Sequence, residues 1–199
     1  SPVIDVLNGV RIRCLKEDSK GNLWICTSRA GVYKLTTDGG VKKYDKSNGL
    51  NGELYRTVTE LSDNTILVAG DSGMSFIKDD DSVYNIGTQM INSKVLCTLQ
   101  ADDKTIFAGT DGNGIEVIRD GVIVGNFGKN EGLSSGVILR MVEDSSGDGI
   151  FIVTSNSICY MDKTQNIRVL KNFPYYNNYD IVNGKDGMLF VLSSAGIFG

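Results

Sequence analysis

The stretch Gly21-Asn22-Leu23-Trp24-Ile25-Cys26-Thr27-Ser28-Arg29-Ala30-Gly31-Val32-Tyr33 returns four more times along the chain in altered form. The echoes run from Asp63-Asn64-Thr65-Ile66 to Gly73-Met74, from Asp103-Lys104-Thr105-Ile106 to Gly114-Ile115, from Gly149-Ile150-Phe151 to Ser157-Ile158, and from Gly187-Met188-Leu189-Phe190 to Gly196-Ile197. With Trp24 as the reference column, the counterparts are Ile66, Phe107, Phe151 and Phe190, at steps of 42, 41, 44 and 39 residues. A period near forty belongs to helical arrays or to propeller blades. Each unit sets Val, Ile, Phe and Tyr between Gly, Asn and Asp turns, and no long stretch repeats its apolar residues at helical spacing, which selects blades.

The expectation is therefore an all-β chain, a β-propeller of four full four-stranded blades plus a fifth. The repeats fall at about 10–52, 53–93, 94–135, 136–178 and 179–199, with 1–9 as the outer strand of another blade. Within the first repeat the strands are expected at 12–16, 23–27, 32–36 and 41–44, and the later repeats follow the same plan. The 24 glycines are scattered singly against only 2 prolines, as positive-φ turns between many short strands require. The fifth repeat lacks an outer strand and the chain starts with one, so two arrangements stay open. Pairing the two would close a five-bladed ring without exposed edges, or the chain is an excised segment of a larger propeller. The truncated last blade and an N-terminus, Ser1-Pro2-Val3-Ile4-Asp5, that is neither a methionine start nor a signal peptide favour the segment.

Net charge is −4 with a pI near 4.9, so the overall field repels a nucleic-acid backbone and an anionic membrane surface, and no nucleic-acid partner is expected. No run approaches the roughly 18 apolar residues that cross a bilayer. Cys14, Cys26, Cys97 and Cys159 stand isolated and there is no histidine. That argues against a disulfide framework or a zinc site; calcium could use Asp79-Asp80-Asp81 or Asp111-Gly112-Asn113, but neither has a known loop spacing, and no metal or cofactor is expected.

The residues Gly21-Asn22-Leu23-Trp24-Ile25-Cys26-Thr27 after Asp18, then Gly31-Val32, with Asn48-Gly49-Leu50 and Glu131-Gly132-Leu133-Ser134 before the next inner strands, resemble the two-component regulator propeller repeat. The resemblance extends over the whole chain at repeat level. It departs from the pattern where Val68-Ala69-Gly70 replaces the small-Thr turn and where Ser157 stands for glycine. It implies the periplasmic or extracellular sensor region of a membrane-anchored bacterial receptor such as a hybrid histidine kinase. That role carries a nutrient-derived, oligosaccharide-like ligand and a signal passed by conformational change or by homodimerisation of the parent receptor.

Aligning inner strands gives the column Arg13, Arg56, Cys97, Arg140, Asp180. Inner strands line a propeller's axis, so three arginines there would offer planar forks to carboxylate or sulfate. The alternative is that they pair with Glu17, Glu60 and Asp144 or with turn carbonyls. A ligand face is expected where outer-to-inner linkers meet the turns between second and third strands. That face carries Arg29 and the segment Tyr175-Tyr176-Asn177-Asn178, whose rings and amides suit a sugar. Trp24 and its counterparts are expected to pack between blades.

Without histidine, and without a Gly-x-Ser-x-Gly signature, the segment is expected to be non-catalytic. The rival reading is a protein-interaction scaffold that binds no small molecule. A propeller lyase or glycosidase would need two close carboxylates on a cleft.

Overall fold

A computed structural model describes residues 5, 7–102, 104–173, 178–184 and 188–199. Five antiparallel sheets follow one another along the chain, as the repeat requires, and the fold is an all-β propeller. Blade 1 comprises β1 (Ile12–Glu17), β2 (Leu23–Thr27), β3 (Val32–Leu35) and β4 (Val41–Tyr44). Blade 2 comprises β5 (Tyr55–Glu60), β6 (Ile66–Gly70), β7 (Gly73–Ile77) and β8 (Val83–Gly87), followed by one helical turn, α1 (Thr88–Ile91). Blade 3 holds β9 (Val95–Gln100), β10 (Ile106–Thr110), β11 (Ile115–Arg119) and β12 (Val122–Phe127). Blade 4 holds β13 (Ile138–Glu143), β14 (Gly149–Thr154), β15 (Ser157–Asp162) and β16 (Ile167–Asn172). Blade 5 has three strands, β17 (Asn178–Asn183), β18 (Leu189–Ser193) and β19 (Gly196–Phe198).

The chain forms two compact units, residues 1–95 and 96–199. In the first, Trp24, Cys26, Val32 and Tyr44 of blade 1 pack on Tyr55, Val58, Ile66, Val68 and Ile77 of blade 2. In the second, Phe107, Ile115 and Val117 of blade 3 meet Met141, Ile150, Ile152 and Cys159 of blade 4, and Val153 and Ile158 of blade 4 meet Ile181 and Val191 of blade 5. Strand side chains alternate between faces, and blades 2 and 3 bury both faces of their second strands, β6 and β10, while the outer strand β16 of blade 4 stays exposed.

Trp24, 2% exposed, is a packing residue, and its ring stacks on Tyr44 with centroids 5.5 Å apart. Its indole Nε1 donates to Asp18 Oδ2 at 2.8 Å, so the polar turn before β2 is tied to the blade interface. Phe107 is buried in the equivalent place, Phe151 is half-buried, and Phe190 is 37% exposed. The counterpart in blade 2 is not Ile66. Ile66 packs back against Trp24, so Leu67, fully buried on the other face of β6, occupies that column. A slip of one residue reverses every face of a strand, and the atypical Val68-Ala69-Gly70 turn concealed it.

Turns between second and third strands explain the recurring glycine. Gly31 and Gly114 have φ of +77° and +74°, and a Cβ there would lie 2.1 Å from the Tyr44 carbonyl oxygen and 2.0 Å from that of Phe127. Blade 4 has serine in place of this glycine. There Ser157 enters β15 directly, and its buried hydroxyl bonds Thr154 Oγ1 at 2.9 Å and, more closely still, the Ser134 hydroxyl.

Two linkers, one within each unit, are hooked at both ends. The carbonyl of Glu53 accepts from Gly31 N in the turn of blade 1, while Asn51 Nδ2 donates to the Ser72 carbonyl in the turn of blade 2. In the second unit Gly136 O accepts from Gly114 N of blade 3, and Ser134 Oγ bonds Asn156 Oδ1 of blade 4 at 3.1 Å.

The expected outer strand over 1–9 is absent where the segment is described. Asp5 and Leu7 are helical, and Asn8-Gly9 turn the chain out through a left-handed glycine, φ +72°, with Val10 N donating to Leu7 O.

Candidate functional site

Each inner strand of known register carries a β-bulge, and the bulges redraw the arginine column. The register shifts between Ile12 and Cys14 in β1, Tyr55 and Thr57 in β5, Ile138 and Arg140 in β13, and Asn178 and Asp180 in β17. Arg13 and Arg56 are themselves the bulged residues, whereas in blades 4 and 5 Leu139 and Tyr179 take that place. Arg140 and Asp180 stand one position later, opposite Val153 and Leu192. The single column read from the sequence is therefore two columns. A bulge adds a residue without an apolar marker, so counting along the chain cannot detect it.

In the first unit, Arg56 Nε donates to Asp71 Oδ1 at 2.7 Å, and Lys94 Nζ lies 3.9 Å from Asp71 Oδ2. Arg13 is exposed and, among the described residues, has no hydrogen-bonded or ion-paired partner. Partial burial, then the like charges of Arg11 and Arg56, lower its guanidinium's proton affinity, against a weaker opposing pull from Asp71. Arg56 and Lys94 thus share one carboxylate, with Arg13 feeling the charges of Arg11, Arg56 and Asp71. Arg29 lies at the edge of this region and is exposed, with Nη2 donating to the Gly9 carbonyl at 3.3 Å.

In the second unit, Arg140 grips Asp180 through Nε to Oδ1 at 2.8 Å and Nη2 to Oδ2 at 3.3 Å. That fork is already filled by a carboxylate of the same chain. Cys97 is buried in the core, with its thiol 3.7 Å from the Ile138 carbonyl and pushed up to about 12 by burial. It lines no surface.

The partners proposed from sequence for the arginines are engaged elsewhere. Glu60 accepts from the amide and hydroxyl of Ser19, and Asp144 from Ser146 N and the Tyr160 hydroxyl. Tyr175, Tyr176 and Asn177 lie outside the described residues.

The sequence also missed the opposite edge of the second unit. A cavity of about 320 Å³ opens there between the turns of blades 3 and 4, lined by Asp102 and Glu143. The trace of it in the sequence is an acidic residue at or just beyond the end of two successive inner strands.

Residues 6–29 match the family described as two component regulator propeller. No curated protein sequence matches the chain. Among solved structures, the chain is similar to the extracellular domain of a putative hybrid two component system from B. thetaiotaomicron, at 20% identity and TM-score 0.75, over 94% of this chain and 26% of that one. It is similar to the extracellular domain of a putative one component system from the same organism, at 17% identity and TM-score 0.76, over 92% and 28%. It is also similar to a catalytically inactive virginiamycin B lyase from Staphylococcus aureus with quinupristin, at 16% identity and TM-score 0.78, over 95% and 69%. The chain spans about a quarter of the length of the two extracellular domains. At these identities the likeness carries the fold alone, and the repeat match adds a specific sequence signature. The chain is a β-propeller similar in fold to the extracellular domains of a hybrid two component and a one component system, and its residues 6–29 match the two component regulator propeller.

Proposed function

We propose that this chain is a ligand-sensing propeller module in the periplasmic or extracellular part of a membrane-anchored bacterial receptor, and that it recognises an anionic, oligosaccharide-like nutrient fragment. The observation that carries the reading is the repeat match at residues 6–29 on a fold shared with the extracellular domains of a hybrid two component and a one component system. The ligand class follows from the first unit, where Arg56 and Lys94 share Asp71 while Arg13 has no partner of its own among the described residues, leaving a local excess of positive charge on a chain whose net charge is −4. A guanidinium without a partner is the group that a uronate or sulfate engages in a bidentate fork. Ligand engagement would act by favouring one arrangement of blades or of paired receptor copies, by no more than its difference in affinity for the two.

Binding without turnover is favoured by the chemistry available. The similar lyase is described as inactive in a variant that replaces a histidine with alanine, and this chain has no histidine. An interaction scaffold would present a contiguous apolar patch at the loop edge, whereas the edge of the first unit carries Arg13, Arg29, Arg56, Asp71 and Lys94 beside the exposed Met90.

The test is calorimetric titration of the chain with a uronate-bearing disaccharide and its neutral counterpart at two salt concentrations. The proposal expects salt-sensitive binding of the acidic sugar that falls about tenfold in Arg13→Ala, the loss of one charge-assisted pair worth roughly 1.4 kcal/mol. Equal affinity for the neutral sugar, or no effect of Arg13→Ala, would overturn the anionic assignment. Failure of both sugars to bind would overturn saccharide sensing.

A further inference from the structure

The cavity in the second unit lies on the edge formed by the first-to-second and third-to-fourth strand turns, away from the arginine-bearing edge. Its floor is apolar, with Phe107, Ile150 and Met161 exposed by 3%, 6% and 2% and Ala101 half-buried beside them. Four charged side chains line it, and two are committed. Asp162 accepts from Thr164 N, Thr164 Oγ1 and Asn166 N and so serves to shape its own turn. Lys163 leans toward Asp148, 3.7 Å away.

The other two, Asp102 and Glu143, have no hydrogen-bonded or ion-paired partner among the described residues. They come from different blades, Asp102 from the turn after β9 and Glu143 from the last position of β13, and both line one opening. Partial burial, and then the charge of Asp102, raise the Glu143 carboxyl above its ordinary value. Two carboxylates that repel each other beside an apolar floor are a standing attraction for a cation, which would relieve both the repulsion and the desolvation. A bare metal ion does not fit this description, because the floor offers no further oxygen ligands and no group of three ligating side chains occurs among the described residues.

We propose that this cavity is a binding site for a protonated primary amine carried on an apolar body of roughly one ring, the body seated on Phe107, Ile150 and Met161 and the ammonium held between Asp102 and Glu143. The volume sits at the lower end of ligand pockets, which suits a single small molecule rather than a chain of sugars. The site is separate from the anionic one and does not depend on it.

The experiment is an NMR titration of the whole chain at neutral pH with three probes of one shape: 2-phenylethylamine, 3-phenylpropionate and 2-phenylethanol. Saturable binding of the amine is expected, with amide shifts at residues 101–107 and 143–150, and with the carboxylate at least about tenfold weaker. Asp102→Asn with Glu143→Gln, both at exposed positions that leave the fold intact, should weaken the amine about tenfold and leave the alcohol unchanged. Ala101→Leu, which grows into the cavity, should abolish binding of both at an unchanged melting temperature. An amine that does not bind, a carboxylate that binds equally, or an amine indifferent to the double neutralisation would each overturn the proposal.

Discussion

Replacing Asp18 with alanine should destabilise the chain far more than a turn aspartate ordinarily does. Asp18 is only 8% exposed, and its carboxylate accepts from Trp24 Nε1 at 2.8 Å, Asn22 Nδ2 at 2.9 Å, Asn22 N at 2.8 Å and Lys20 N at 3.0 Å. Without it, the indole N–H of a residue that is 2% exposed and the amide of buried Asn22 lose their acceptors. Each orphaned buried donor costs about 1–3 kcal/mol, so the two together should cost about 3 kcal/mol, or roughly 6–12 °C in melting temperature for a chain of this size. Asp18→Asn does not rescue it, because an amide must turn a donor toward either the indole or Asn22. The control is Asp63→Ala in blade 2, an exposed turn aspartate that accepts from Thr65 N, where the loss should stay under about 1 kcal/mol.

Dependence on pH separates this account from lost packing. Burial alone would raise the Asp18 carboxyl, but the bonds from Trp24, Asn22 and Lys20 outweigh it and hold the group below the ordinary carboxylate range. The folded value lies below the unfolded one, so the stabilisation is complete above about pH 4 and drains away as pH falls through the folded value. Thermal melts followed by circular dichroism at pH 7 and pH 3 should show the gap between wild type and Asp18→Ala narrowing in acid. A gap that is no wider than that of Asp63→Ala, or that does not change with pH, would refute the reasoning.

Truncation of Trp24 to alanine, read by denaturant unfolding, should cost about 3–5 kcal/mol, because the ring is 2% exposed and stacked on Tyr44. Gly114→Ala should destabilise well beyond Gly147→Ala. Both have φ near +75°, but a Cβ on Gly114 lies 2.0 Å from the Phe127 carbonyl oxygen while one on Gly147 meets nothing within 4 Å, so only the latter should stay near about 1 kcal/mol. Glu116, 5% exposed, is raised by burial, which outweighs its hydrogen bonds from Asn113 and Asn126. Its contribution is full below the unfolded carboxyl value and is lost as pH rises through the folded one, so Glu116→Gln should raise the melting temperature at pH 7 and not at pH 4. An equal effect at both would contradict this.

The blades were legible because their signal is redundant. Alternating apolar residues, glycine turns and the spacing of Trp24, Phe107, Phe151 and Phe190 all name the same strands. What failed were counts that needed single-residue accuracy. Ile66 was placed one position away from Leu67, the true equivalent of Trp24, and Arg140 and Asp180 were read into the column of Arg13 and Arg56 across bulges that leave no mark in composition. The ion pair Arg140–Asp180 was invisible for the same reason, since its partners lie on different blades. The cavity at Asp102 and Glu143 depends on how two turns from adjacent blades are juxtaposed, and a one-dimensional reading holds no term for that.

The double hook of these linkers bears on how such chains grow. Because Glu53 closes the turn of the sheet before it while Asn51 closes the turn of the sheet after it, a copied gene segment that began and ended at sheet boundaries would arrive with one turn unlatched. A duplication that starts inside one sheet and stops inside the next carries its latches intact. The length of chain that carries its own latches is thus offset from the length that folds as one sheet.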